Sequence, residues 1–158
     1  MRLACLLAAL LTLGCAHSPA PPPGPRPLGG DANLMRGDAT LAVRLRYEVA
    51  SARSIVLLVE LAGSGSGSVG AVEVELAPDG FALDGPATWT GEVAAGRRED
   101  LRFPLTLTAG KLGRVTVTQG IVGAPANDPV VLRFVIEDDE IRACQASEEA
   151  CQDSPAAS

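Results

Sequence analysis

The sequence predicts an all-β fold, a single antiparallel sandwich of about seven or eight strands over residues 39–138. Three observations carry this. Apolar residues recur with a period of two in segment after segment. Turn signals rich in Gly, Pro, Asp and Asn separate those segments. No segment after Cys15 has a helical period.

Taken in order, LAVRLRYEV sets Leu41, Val43, Leu45, Tyr47 and Val49 on one face and Arg44, Arg46 and Glu48 on the other. SIVLLVELA is continuously apolar from Ile55 to Val59 and reads as a central strand covered on both faces. GSGSGS after it has the composition of a mobile loop. AVEVEL alternates Val72, Val74 and Leu76 against Glu73 and Glu75. ATWTGEV is a shorter strand with Trp89 and Val93 on its buried side. LRFPLTLT alternates Leu101, Phe103, Leu105 and Leu107 against polar residues. Pro104 has no N–H, so that strand lies at an edge or carries a bulge there. GRVTVTQGIV turns Val115 and Val117 inward, and VVLRFVIE groups Val130, Leu132, Phe134 and Ile136.

The run APDGFAL, ATWTGEVAAG, DLRFPLTLTAGKLGRVTVT (Ala77 to Thr118) resembles the immunoglobulin-like modules of bacterial envelope proteins. The resemblance implies an immunoglobulin-like sandwich, here without the inter-sheet cysteine pair of antibody domains. Trp89 reads as a core residue, with a binding-surface aromatic as the alternative.

The N-terminus is ordered as an export signal. Arg2 precedes an apolar stretch, Leu3 to Leu13, which is shorter than the roughly 20 residues of a spanning helix. LTLGC (Leu11 to Cys15) resembles the lipobox of bacterial prolipoproteins, departing from it in Thr12, where Leu is commonest. The resemblance implies cleavage after Gly14 and a diacylglycerol thioether plus an N-acyl chain on Cys15. That is more than the two signals stable anchoring takes. Ala16 after the lipidated cysteine implies sorting to the outer membrane, facing the periplasm or the cell surface. Residues 1–14 are then a signal peptide and 15–38 a disordered, proline-rich spacer. As polyproline II, Ala16 to Leu28 spans on the order of 40 Å. Arg36–Gly37–Asp38 matches the integrin tripeptide, which in so Arg- and Gly-rich a chain reads as coincidence.

Cys5 leaves with the signal and Cys15 is lipidated, so Cys144 and Cys151 remain. In an oxidising compartment such a pair forms a disulfide. Seven residues of straight helix span about 10 Å, too far for a bridge, so the segment turns back on itself. Without Arg2 the chain has 12 basic and 19 acidic residues, net −7. Glu137 to Asp153 alone holds seven acids and Arg142, net −6. Residues 139–158 therefore read as an acidic, disulfide-stapled tail. It serves either solubility or docking of a basic partner or divalent cation.

The chain offers little for catalysis. His17, the single histidine, lies in the spacer, and Lys111, the single lysine, in a Gly-rich turn. Asp79, Asp84, Glu92, Glu99 and Asp100 lie at turns, where acids usually serve local hydrogen bonds. Zinc-ligand spacings and phosphate-cradling motifs are absent from the sequence. The expectation is no enzyme, no catalytic residue, no metal and no cofactor. Net charge and the lack of a basic stripe disfavour nucleic acid. What remains is a membrane-anchored binding or scaffold module, meeting an envelope protein through an edge strand or the acidic tail. The alternative is a permanent subunit of a secretion or surface-assembly complex.

Overall fold

The computed structural model describes residues 23–125, 127–145, 147, 148 and 151. Cys15 and the first part of the spacer lie outside them. The fold is all-β, two antiparallel sheets packed face to face. Eleven strands form it, more than the seven or eight expected: β1 (Arg26–Pro27), β2 (Ala32–Arg36), β3 (Ala39–Ser51), β4 (Ser54–Ser64), β5 (Val72–Asp79), β6 (Phe81–Leu83), β7 (Thr88–Gly91), β8 (Arg98–Leu107), β9 (Leu112–Ile121), β10 (Val130–Glu137) and β11 (Glu140–Cys144).

One sheet runs β1-β3-β4-β8-β6, with β2 beside β1 along β3; the other runs β11-β10-β9-β5-β7. The inner faces meet over the residues that the alternation placed inward. Leu41, Val43, Leu45, Ile55, Leu57, Val59 and Leu105 face Val72, Val74, Val115, Val117, Phe134 and Ile141, all nearly inaccessible to water. Phe134 sits at the middle of an aromatic row. Its ring packs edge-on to Tyr47 at 5.4 Å and to Phe81 at 5.8 Å between centroids.

Two corrections concern the ends. Residues 26–36, assigned by sequence to the disordered spacer, are strands laid along β3, with Arg26 opposite Tyr47 and Leu34 opposite Leu41. Gly29 and Gly30, both at positive φ, divide them. The Asp31 carboxylate accepts the Leu45 N–H there at 3.3 Å. Pro and Gly hid this edge, which acquires its ladder only from the long β3. At the other end, the start of the acidic tail is β11. Asp138 and Asp139, at φ 51° and 60°, form a two-residue hairpin loop between Glu137 and Glu140. Ile141 enters the core, and the Ala143 N–H donates across the sandwich to the Tyr47 hydroxyl at 3.2 Å. Left-handed backbone at two consecutive aspartates is strained. Replacing them together, Asp138→Asn with Asp139→Gly, is expected to stabilise the fold by about 1 kcal/mol. A lower urea midpoint for the double variant would contradict this.

Loop GSGSGS, expected to be mobile, is tied to the segment before β8 by backbone hydrogen bonds. The Gly67 carbonyl accepts the Ala95 N–H and the Gly63 carbonyl accepts the Gly96 N–H, each at 2.8 Å. Val69, 1 % exposed, anchors its far end.

β4 is central, as its apolar run predicts, but its outer face is covered by arginines rather than a third layer. Leu58 lies between Arg46 and Arg102 in the ladder. Arg46 and Arg98 pair with Glu60 at 3.1 and 2.9 Å, and Arg102 with Glu48 at 2.6 Å. Their alkyl stems shield the apolar residue while their heads stay wet.

One inward side chain breaks the apolar rule. Gln119 on β9 is 1 % exposed, and its Oε1 has no hydrogen-bond partner among the described residues. An unsatisfied buried acceptor costs about 1–3 kcal/mol. Gln119→Met keeps the volume and removes the polar atom, so its urea midpoint is expected to rise by that equivalent; an unchanged or lower midpoint would refute the assignment.

Candidate functional site

The two lateral sides of the sandwich differ. On one side β1 and β11 close the seam between the sheets. Arg26 pairs with Glu140 at 2.8 Å and lies 5.9 Å over the Tyr47 ring, which holds β11 through its hydroxyl. The Arg26 guanidinium pKa is raised first by Tyr47 and then by Glu140.

The opposite side stays open, and chain geometry explains why. β6 pairs with β8 only from Phe81–Leu107 to Leu83–Leu105. After Gly85 and Pro86 the chain crosses to the other sheet, where β7 pairs with β5. The first half of β8 is thus a sheet edge. Strand geometry sets which backbone groups face it, because N–H and C=O of one residue point to the same side and alternate along the strand. The Pro104 carbonyl accepts the Asp84 N–H at 3.0 Å on the β6 side. Arg102 and Asp100 therefore face that side too, and their N–H groups meet no acceptor among the described residues. Pro104 itself loses no bond to β4, since its nitrogen points the same way. The edge expected from Pro104 is present, and the β4–β8 register runs through it without a bulge.

Beside this edge lies a groove of about 310 Å³, lined by Asp84, Pro86, Thr88, Trp89, Leu101 and Phe103 among others. Trp89 is half-buried, packed on the core from β7 opposite Val74. Its ring lies over Gly91, where any Cβ would collide with it. Neither reading of Trp89 is complete by itself: the ring supports the core and also forms the groove wall. Arg98 pairs with Asp100 at 2.8 Å, and its pKa is raised first by Asp100 and then by Glu60. Asp84 and Glu99 have no cationic partner among the described residues. A second depression of about 170 Å³, over Glu73, Glu75 and Thr118, has glycines and Ala124 at its rim and no aromatic wall.

The acidic tail is tied down more than its charge implies. Glu137 and Glu148 both pair with Arg142, at 2.7 and 2.9 Å. The Glu148 pKa is lowered, first by the Gln145 N–H and then by Arg142. Among the described residues no three acidic, cysteine or histidine side chains are gathered to hold a metal. Cys144 and Cys151 are at bonding distance, with Cα atoms 6.1 Å apart, so the segment turns back as its spacing required. The predicted lipidation residue, Cys15, lies outside the described residues. Arg36–Gly37–Asp38 forms the exposed β2–β3 turn. Pro104 was the one signal in the sequence for the open edge of β8, because β8 otherwise alternates like any paired strand.

No protein-family profile, curated protein or solved structure matches the chain.

Proposed function

We propose that the chain is a lipid-anchored, non-catalytic binding or scaffold module of a bacterial envelope, tethered through Cys15 and docking a partner protein at the open edge of β8. One observation carries the reading. The strand order sets β1, the first strand after Cys15 among the described residues, and the open edge of β8 on opposite sides of one sheet. A partner reaching that edge meets the side turned away from the tether. The lipobox-like LTLGC supports the anchor. The Cys144–Cys151 pair fits an oxidising compartment. The likeness of Ala77 to Thr118 to immunoglobulin-like envelope modules supports the same class.

Large exposed apolar residues among those described are Met35 on β2, Val122 in the turn after β9 and Val131 on β10. Such scattered residues suit a reversible binder better than a permanent subunit, which buries a contiguous apolar patch.

The test is photo-crosslinking in intact cells. A photoreactive residue at Asp100 is expected to capture a discrete partner, and one at exposed Val131 is not. Equal capture at both sites, or none at Asp100, would overturn the docking site. For the anchor, Cys15→Ser is expected to abolish acylation and membrane partition; a variant that keeps its acyl chains would overturn it.

A further inference from the structure

We infer that the open edge of β8 takes up an extended segment of a partner protein as an added strand, with apolar residues opposite Leu101 and Phe103 and a basic residue opposite Glu99. The inference rests on the docking reading above and names the chemistry of the partner.

The backbone supplies the first argument. Asp100 and Arg102 present a donor and an acceptor each along a line that β6 has already begun and leaves at Leu83. An incoming strand continues that line with main-chain hydrogen bonds and no rearrangement. Side-chain alternation supplies the second. Residues of the added strand opposite Leu101 and Phe103 point between the sheets, beside the half-buried Trp89 ring. Aromatic and branched side chains gain most from such a position.

Charge supplies the third. The two cations on β8 are already engaged, Arg98 by Glu60 and Asp100 and Arg102 by Glu48. Glu99 and Asp84, at the two ends of the groove, have no such partner among the described residues. Unpaired charge at the groove is therefore acidic, and a basic residue on the added strand completes it. A second copy of this chain fits less well. Pairing two β8 edges about Leu101 sets Glu99 opposite Phe103 in both copies, an unmatched carboxylate against an apolar ring.

Trp89 is the only tryptophan of the chain, so its fluorescence reports on the groove directly. The experiment uses the full chain in detergent micelles and a displayed library of random heptapeptides. Enriched peptides are expected to alternate apolar residues and carry a basic residue at one end. Synthetic copies are expected to shift Trp89 emission and slow exchange of the Asp100 and Arg102 amides. Glu99→Lys, at an exposed position, is expected to weaken them about tenfold, and Asp84→Lys serves as a second variant should the first misfold. Enriched peptides without a basic residue, or binding unchanged by either reversal, would overturn the inference. So would a dimer seen by light scattering that blocks peptide binding, which identifies a second copy as occupant. If crosslinking at Asp100 succeeds and these peptides fail, only the chemistry of the partner is wrong. If the crosslink fails as well, the docking site itself falls.

Discussion

Phe134→Ala is expected to destabilise the sandwich by about 3–5 kcal/mol. Phe134 is fully buried and is the ring through which Tyr47 from one end of the core and Phe81 from the other are coupled. Truncation loses its transfer free energy and leaves a cavity walled by two rings that are themselves anchored. Tyr47 cannot swing in to fill the space without giving up the Ala143 N–H. Phe81 cannot move far either, because its ring fills the space above Gly113 where a Cβ would stand. Partial collapse is therefore blocked on both sides, and the cost lies toward the upper end of the range. Urea denaturation measures it directly. A loss below about 1 kcal/mol would mean that the aromatic row is not the centre of the core.

Gly65→Ala is the second large effect. Gly65 stands at φ 85°, which L-residues adopt only with strain, and its Cβ would run into the Asp38 carbonyl of the β2–β3 turn. Left-handed strain of about 1–2 kcal/mol adds to an overpacking cost of about 1–3 kcal/mol, because the colliding atom is backbone and cannot rotate away. The expected total is about 2–5 kcal/mol. If the loop were the mobile coil its composition describes, the substitution would be neutral or slightly stabilising through the unfolded chain. Thermal unfolding separates the two outcomes by sign.

Gly65 also shows where reading the sequence stops. Period-two alternation found β3, β5, β8, β9 and β10, because in those strands one face is buried and each side chain records which face it occupies; a continuous apolar run found β4. Where a segment takes its place from a distant partner, composition misleads. GSGSGS has the residues of a flexible linker and is held by a backbone approach to residues 94–97. Residues 26–36 have the residues of a spacer and are an edge laid on β3. The Asp138–Asp139 turn lacks the glycine that usually marks a two-residue hairpin, so β11 was absorbed into the charge of the tail. β4 was expected to be covered on both faces, and Leu58 on its outer face is, but the cover is made of arginine stems, which a hydrophobicity pattern records as polar.

The candidate site was less legible still. Trp89 and Pro104 both stood out in the sequence, fifteen residues apart and with no sign that they belong together. They are linked by topology: β6 stops at Leu83, the chain changes sheets, and β7 brings the ring back beside the half of β8 that β6 left uncovered. Charge sharpens the same point. Most of the net charge lies at the C-terminal end, yet Glu137, Glu140 and Glu148 there are paired with arginines. Asp84 and Glu99 contribute little to net charge, yet stand at the groove without a cationic partner among the described residues.

Amide hydrogen exchange along β8 tests the open edge most directly. Leu101, Phe103 and Leu105 face β4 and are expected to be strongly protected, while Asp100 and Arg102 exchange at rates close to those of unstructured chain. That alternation is the signature of a strand paired on one side alone. Equal protection at Asp100 and Arg102 in the isolated full chain would show the edge already covered, and the docking account would fail with it.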